Sequence, residues 1–234
     1  MNITSRIREA VIALAFLAVD IDLMAQENTS EHSNKNHSPH NANEYMHQTP
    51  IDQLIERFES PERDAYQLPE KVISHLGDIK GKTIMDIGAG SGYFSIRLAQ
   101  AGAKVIAADV NDEFQDFLKK RLESVSPGKL EVELRKIPYD SPGLNNQEAD
   151  MIFMSNVYHH IESRIDYFSK ARKGLRGDGS LVIIDYYKTD LPLGPPLDHK
   201  VSIDEVLAEL KAAGFQNFEL EVNLLPYQFI IKAQ

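Results

Sequence analysis

From residue 51 onward, short apolar runs alternate with segments of helical pattern, and this alternation limits the fold more than any other feature of the chain. Strand-length runs are found at residues 83–87, 104–109, 130–136, 151–155, 180–185, 218–222 and 227–231. Helical patterns are found at residues 51–58, 69–76, 92–101, 112–122, 161–173 and 202–213. Strands of this kind predict a doubly wound, mostly parallel sheet with helices on both faces, which is an α/β fold. Such sheets bind ligands at the carboxyl ends of their strands.

The alternation places the folded domain at residues 51–234 and leaves two segments ahead of it. Residues 26–50 are rich in Asn, Ser and His and cannot bury enough apolar surface to fold, so we predict a disordered polar linker there. Its histidines are typical of a solvated spacer, with weak metal binding as the alternative.

Residues 1–25 have the pattern of an export signal. Arginines precede the apolar run 10–19, and the segment ends on the small residue Ala25. The run is too short to cross a bilayer as a helix, so we expect no stable membrane span. We predict a periplasmic or secreted protein. If the chain instead starts at Met24 or Met46, it is cytoplasmic.

Composition narrows the function classes. The formal net charge is −10 and no basic stripe is present, which disfavours an extended phosphate backbone as ligand. We therefore expect a small-molecule substrate and no nucleic acid. The chain has no cysteine, which excludes disulfides, thiolate metal sites and thiol nucleophiles, and no metal is expected.

The densest motif is the segment 86–92, Asp-Ile-Gly-Ala-Gly-Ser-Gly, which follows an apolar strand and opens a helix. Gly88, Gly90 and Gly92, with Ala89 between the first two, let the backbone turn sharply and let a ligand approach closely. Free amides at the start of the next helix favour a polar or anionic ligand group. Asp86 would repel a pyrophosphate but attract an ammonium group, such as that of S-adenosylmethionine.

A second acid, Asp109, closes the next strand and is followed by Val110. A carboxylate at this strand tip can accept both hydroxyls of an adenosine ribose. A dinucleotide fingerprint needs the spacing G-x-G-x-x-G, whereas this chain has G-x-G-x-G, which disfavours a nicotinamide oxidoreductase. S-adenosylmethionine is therefore the predicted cofactor. The plain alternative is a glycine-rich turn beside a solvated carboxylate.

These residues resemble motif I and the following acidic motif of class I S-adenosylmethionine-dependent methyltransferases. Within that family the chain is similar to small bacterial methyltransferases, in the segments 63–69, 93–94, 156–160 and 225–227. The likeness extends from about Tyr66 to the end of the chain. It implies methyltransferase activity and a seven-stranded sheet whose last strand is antiparallel.

The resemblance also implies where the cofactor lies. Asp86 and the Gly88–Gly92 turn are expected at the methionine end, and Asp109 with Val110 at the ribose. The family usually has an acid near the adenine amine, and Asp140 is the nearest match, although it is displaced from the end of the third strand. Tyr66 is added as an aromatic wall, because a sulfonium cation favours aromatic faces.

The segment after the fourth strand supplies the catalytic candidates. If it is helical, Asn156, His159 and His160 share one face, which adds Asn156 to the pocket. His160 is the first choice for a general base, His159 the second, and Tyr158 is expected to line the pocket. Two alternatives stay open: the histidines hold a metal that orients an oxygen acceptor, or they are packing and solvated residues.

Two functions remain in competition. One is an enzyme that methylates a small molecule, with Asp185 after the fifth strand as a substrate group or a strand-capping residue. The other is a non-catalytic module that binds S-adenosylmethionine or acts as a scaffold. The predicted export motivates the non-catalytic module, because S-adenosylmethionine is made in the cytosol and an exported enzyme would lack an obvious supply of it.

Overall fold

The structure is a computed structural model that describes residues Asn43, Met46, 48–125 and 128–234. The predicted export signal and almost all of the predicted linker lie outside these residues, so both stay predictions. Within the part of the chain that is described, no helix combines the length and the apolar character needed to cross a membrane.

Helices and strands alternate through the described chain. The helices are α1 (Ile51–Phe58), α2 (Pro61–Gln67), α3 (Pro69–His75), α4 (Tyr93–Gln100), α5 (Asp112–Val125), α6 (Arg164–Gly174) and α7 (Ile203–Ala212). The strands are β1 (Thr83–Ile87), β2 (Lys104–Asp109), β3 (Val132–Lys136), β4 (Ala149–Ser155), β5 (Leu175–Tyr186), β6 (Phe218–Glu221) and β7 (Gln228–Ala233). Short 3₁₀ turns are formed by Tyr158–His160 and Leu197–His199.

The seven strands form one sheet in the order β3-β2-β1-β4-β5-β7-β6. The pairs among β1 to β5 are parallel, and β7 is antiparallel to both β5 and β6. The expected α/β sheet with an antiparallel last strand is confirmed. The strand order reverses between β1 and β4, so the carboxyl ends of these two strands flank the crevice where such sheets bind ligands.

Two apolar layers cover the sheet because successive residues of a strand point to opposite faces. Ile84 of β1 belongs to the layer with Leu98 of α4, whereas its neighbour Met85 belongs to the layer with Phe168 of α6 and Leu210 of α7. Burial of each large side chain is worth about 1.5–3 kcal/mol. The strands are therefore apolar on both faces, which is the pattern seen in the sequence.

Two of the predicted elements begin three or more residues away from their predicted starts. Strand β5 begins at Leu175 rather than at residue 180, because Leu175 pairs with Ala149 across an irregularity in the ladder. Helix α6 begins at Arg164 rather than at residue 161, because Ser163 has φ 46° and cannot continue a right-handed helix.

The start of the domain is shaped by two prolines. Pro61 and Pro69 occupy the first turns of α2 and α3, where their fixed φ and missing N–H cost nothing. Leu68, with φ 43°, separates the two helices and turns the chain between them. Gln67 at the end of α2 is fully buried, so this N-terminal segment packs against the domain rather than extending from it.

We predict that Gly92→Ala destabilises the ligand-free protein more than Gly77→Ala does. Both positions have a left-handed φ, +85° and +77°, which costs alanine about 1–2 kcal/mol. A Cβ at Gly92 would also overlap the fully buried side chain of Leu118, which adds about 1–3 kcal/mol of overpacking. Nothing lies within 4 Å of a Cβ at Gly77. Urea unfolding of both variants measures the difference, and equal losses would contradict the packing argument.

Candidate functional site

The glycine turn joins β1 to α4 and lies at the carboxyl edge of the sheet. A Cβ at Gly88 would lie 2.5 Å from Val157, so the turn packs directly against the segment that follows β4. A Cβ at Gly90 would meet only the ring of Phe58, at 3.5 Å, besides a backbone oxygen at 3.9 Å. Ala89 is buried in the apolar layer that contains Tyr93. Gly88 and Gly92 are thus required by packing, and Gly90 presents the bare backbone.

Asp86 lies at the base of this turn and is only 3% exposed. Burial raises the pKa of its carboxyl group to about 7, while the hydrogen bond from Ser95 and the charge of Arg63 act in the opposite direction. The Ser95 hydroxyl donates to Asp86 Oδ2 at 2.5 Å. Near neutral pH this carboxyl is therefore at the border between its two protonation states, and a nearby ligand cation would favour the charged state.

Asp109 ends β2 and is 5% exposed. Its Oδ2 accepts the backbone N–H of Gly90 at 2.8 Å, and its Oδ1 accepts that of Asn111 at 2.9 Å. Burial raises its pKa, and these backbone hydrogen bonds act against the rise. Val110 is half-buried beside it. The carboxylate thus ties the glycine turn to the tip of β2, as expected if one ligand spans both.

Helix α1 covers the glycine turn, which the sequence did not reveal. The ring of Phe58 lies against Gly90 and stacks on Phe114 of α5, with 5.7 Å between ring centroids. The next residue, Glu59, accepts a hydrogen bond from the Ser91 hydroxyl at 2.5 Å and forms an ion pair with Arg121. These contacts hold α1 and Glu59 against the glycine turn. A helical pattern does not name its tertiary partner, so no sequence signal pointed to this cover.

Tyr66 lies among aromatic neighbours, and its role as a pocket wall stays a prediction. Its phenol lies close enough to Tyr186 to raise the pKa of that residue, although burial is the larger cause of the rise. Its ring centroid is 6.4 Å from that of Tyr227. Tyr66 therefore joins the end of β5 and the loop before β7 at one aromatic cluster.

Asn156 takes part in a ring of three amide side chains. Its Nδ2 donates to Gln67 at 3.2 Å, Gln67 donates to Gln228 at 3.1 Å, and Gln228 donates back to Asn156. Asn156 has φ 62°, so the segment after β4 does not continue as an α-helix and the expected shared face is not formed. Its amide instead connects α2, β4 and β7 beneath the crevice.

His159 is held by Asp185, at the end of β5. Its Nδ1 lies 2.9 Å from Asp185 Oδ1, and its backbone N–H donates to Oδ2 at 3.2 Å. Both side chains are almost fully buried. Because a carboxylate only accepts hydrogen bonds, the proton belongs on Nδ1 and Nε2 is left with a free lone pair. Asp185 is thus the partner that fixes the tautomer of His159.

His160 lies beside His159, with 4.3 Å between ring centroids. Burial, and next the charge of His159, lower the pKa of His160 to about 3, so it is neutral at physiological pH. Its Nδ1 is 3.1 Å from Asn43 Oδ1, and its carbonyl accepts from the same side chain. Among the described residues, no group of three or more His, Asp or Glu side chains has the arrangement of a metal site.

Tyr158 does not line the crevice, and the expected contact of Asp140 with the adenine amine stays a prediction. Tyr158 is fully buried in the layer of α6, where it stacks on Phe168 and its hydroxyl donates to Glu209 at 2.5 Å. The 3₁₀ turn rotates its side chain away from those of the two histidines. Asp140 is exposed, and its carbonyl accepts from Lys170 of α6 at 2.9 Å.

Comparison with known proteins agrees with a methyltransferase interpretation of this geometry. Residues 85–183 match the family described as a methyltransferase domain. A solved S-adenosylmethionine-dependent methyltransferase from Aquifex aeolicus is 25% identical, has a TM-score of 0.71, and is matched over 79% of this chain and 98% of its own. Magnesium protoporphyrin IX methyltransferase from Synechocystis, at 20% identity and a TM-score of 0.58 over 71% of this chain and 81% of its own, shows the same fold.

The curated relatives have names that specify a substrate, but they match a smaller part of this chain than the solved structures do. A tRNA U34 carboxymethyltransferase of Marinobacter nauticus is 35% identical over 49% of this chain and 34% of its own length. The protein of the same name from Saccharophagus degradans is 31% identical over 49% of this chain and 35% of its own length. The chain thus spans about a third of the length of the curated relatives that it matches.

These relatives overturn one expectation drawn from composition. They are named for a tRNA substrate, so our exclusion of nucleic acid as a partner is wrong. That exclusion was based on the net charge and on the lack of a basic stripe in the sequence. Binding depends instead on the local field at one surface of the folded chain, which neither of these describes.

The glycine turn, the acid at the tip of β2 and the seven-stranded sheet with an antiparallel last strand are those that the resemblance implied, and they now stand beside an independent family match and a solved structure of the same fold. The chain therefore carries a class I S-adenosylmethionine-dependent methyltransferase domain, with S-adenosylmethionine as its cofactor.

Proposed function

We propose that this chain transfers the methyl group of S-adenosylmethionine to a nucleophile held between the carboxyl ends of β1 and β4. The observation that carries the proposal is the clasp between Asp109 and the Gly90 amide, with Asp86 directly below it. It places two buried carboxyl groups along the crevice, one for each end of a nucleoside linked to an amino acid.

The residues present fit this donor. A carboxylate has about four lone-pair sites, so Asp109 keeps capacity for ribose hydroxyls beyond its two backbone partners. Asp86 can receive the ammonium group, because a cation beside a buried carboxyl stabilises its charged form. Gly90 has no side chain on the crevice side, and Phe58 shields this face from water.

The protein contributes alignment of the acceptor, exclusion of water and proton transfer. When bound, the donor supplies an already electrophilic methyl group, and its displacement requires in-line placement of the acceptor. His159 is the residue that we propose as general base, in place of His160, because Asp185 leaves its Nε2 free to accept a proton. His160, with its pKa lowered to about 3, is too weak a base near neutral pH.

We further propose a tRNA nucleoside as the acceptor. The support is the similarity to tRNA U34 carboxymethyltransferases, which covers about half of this chain. Methyl-labelled donor is incubated with total tRNA or with a small-metabolite extract, and the products are separated by mass spectrometry. Label confined to the metabolite extract would overturn the tRNA proposal.

Export and a tRNA acceptor exclude one another, because tRNA is found in the cytosol. The export prediction therefore offers an independent test of the acceptor. Cell fractionation with N-terminal sequencing separates the two: a periplasmic protein that begins near Gln26 would rule out tRNA, and a full-length cytosolic protein would rule out export.

We predict that S-adenosylhomocysteine binds more weakly as the pH falls below about 7. In the free protein Asp86 takes up a proton near this pH, whereas the ligand ammonium requires the carboxylate, so binding at lower pH must release a proton. If this proton release is fully coupled to binding, the affinity falls about tenfold for each pH unit below the pKa of Asp86. Calorimetry from pH 5 to 8 measures this slope. The control ligand, 5′-methylthioadenosine, has no ammonium group and should show no slope; parallel profiles for the two ligands would contradict the role of Asp86.

We predict that His159→Gln and Asp185→Asn each lower kcat by roughly a hundredfold or more while the affinity for S-adenosylhomocysteine stays the same. The first change removes the base, and the second removes the group that fixes its tautomer. Single-turnover assays and calorimetry provide the two readouts. His75→Gln, at an exposed position of α3, is the control. Unchanged turnover in His159→Gln would remove this residue from the mechanism, and donor binding without any turnover in the native protein would favour a non-catalytic module.

A further inference from the structure

Asn43 reaches the site from a segment that composition alone assigns to a linker. It lies ahead of α1, yet its side chain contacts His160 at two points, 117 residues further along the chain. Asn43 Nδ2 donates to the backbone carbonyl of His160 at 3.0 Å, and Asn43 Oδ1 lies 3.1 Å from His160 Nδ1. One carboxamide thus holds both the backbone and the ring of a histidine at the crevice.

The two contacts together assign the tautomer of His160. A backbone carbonyl can only accept, so the amide nitrogen of Asn43 must face it and the amide oxygen must face the ring. That oxygen also only accepts, so the proton of the neutral ring belongs on Nδ1 and the lone pair on Nε2. The reversed amide would place two oxygens 3.0 Å apart with no hydrogen between them.

His160 is neutral while it is held in this way. Burial lowers its pKa most, followed by the charge of His159, and the charges of His199 and Arg57 lower it further, whereas Asp185 acts in the opposite direction. A neutral imidazole with a fixed tautomer is a hydrogen-bond acceptor that does not compete for a proton near neutral pH. His160 is therefore suited to orienting a ligand group.

The turn that carries His160 belongs to the crevice. The His160 N–H donates to the Val157 carbonyl at 2.9 Å within the 3₁₀ turn, and the Val157 side chain packs against Gly88 of the glycine turn. His159, the proposed general base, precedes His160, and the two ring centroids are 4.3 Å apart. The position of His160 is thus coupled to both the base and the donor turn.

We propose that Asn43 is a positioning residue, which holds His160 as the Nδ1–H tautomer so that Nε2 accepts a hydrogen bond from the methyl acceptor. His159 removes the proton of the nucleophile, so a fitting acceptor has a second N–H or O–H group close to its reacting atom. A nucleoside has such groups on its base and its ribose. The tautomer of His160 does not depend on the proposed function, whereas the effect on methyl transfer rests on it.

The first experiment measures the tautomer in the full chain. Long-range proton–nitrogen correlation NMR on protein with isotope-labelled histidine distinguishes protonated from unprotonated ring nitrogens. Spectra are recorded at mildly alkaline pH, where both rings are neutral, for the native protein, Asn43→Ala, Asn43→Asp and Asn146→Ala. His160→Gln identifies the His160 signals. Asn146→Ala is the matched control, because it removes the same amide at an exposed position before β4.

We expect His160 to be protonated on Nδ1 in the native protein and in Asn146→Ala, and to lose this preference in Asn43→Ala. Asn43→Asp keeps an acceptor for the Nδ1 proton and should keep the tautomer, whereas a role in packing alone predicts the same spectrum for alanine and aspartate. His159 should keep its Nδ1 proton throughout, because Asp185 holds it. A native His160 protonated on Nε2, or an unchanged tautomer in Asn43→Ala, would overturn the proposal.

The second experiment measures methyl transfer in the same variants. Asn43→Ala should lower turnover by about two- to tenfold, the range of one lost neutral hydrogen bond, and Asn43→Asp should recover part of it. Affinity for S-adenosylhomocysteine should be unchanged, which shows that the variants are folded. Full turnover in Asn43→Ala despite an altered tautomer would overturn the orienting role. If the native protein transfers no methyl group, the proposed function and the orienting role fall together, while the NMR result still decides the tautomer.

Discussion

The hydrogen bond from the Gly90 amide to the Asp109 carboxylate is the interaction on which the site depends. It joins the turn after β1 to the tip of β2, and it does so in a place from which water is largely excluded. A hydrogen bond to an ionised carboxylate is stronger than a neutral one, because the acceptor carries a full charge. The two elements that face the donor are thereby held at a defined separation before any ligand arrives.

The same crevice contains charged groups that the protein does not neutralise. Asp86 is buried with a raised pKa, and Arg63 has an unmatched donor. Such groups destabilise the ligand-free fold, so their retention indicates that binding recovers the loss. The surrounding structure supports them: α1 seals the turn through Phe58, and the amide ring of Gln67, Asn156 and Gln228 connects the N-terminal helices to the sheet. The contacts that support the crevice are therefore also the contacts that attach the N-terminal segment to the sheet.

Much of the site could be predicted because it is encoded locally. The glycine turn and Asp109 follow from a short motif and one strand end, and both lie where they were expected. Tyr158 was predicted by the same sequence reasoning and does not line the crevice, because a 3₁₀ turn replaces the anticipated helix. Asp185 was noted without a partner, and its pairing with His159 depends on the adjacency of β4 and β5.

The sequence by itself determined the fold class, the antiparallel last strand implied by the family, and the donor. Apolar periodicity and glycine spacing are properties of neighbouring residues, so they can be recognised without knowledge of long-range contacts. Only the tertiary structure decided which histidine is oriented by a carboxylate, what covers the glycine turn, and that Arg63 has no carboxylate partner among the described residues. Each of these depends on side chains far apart in the chain, whose burial and charge are defined only once the sheet and its helices have assembled.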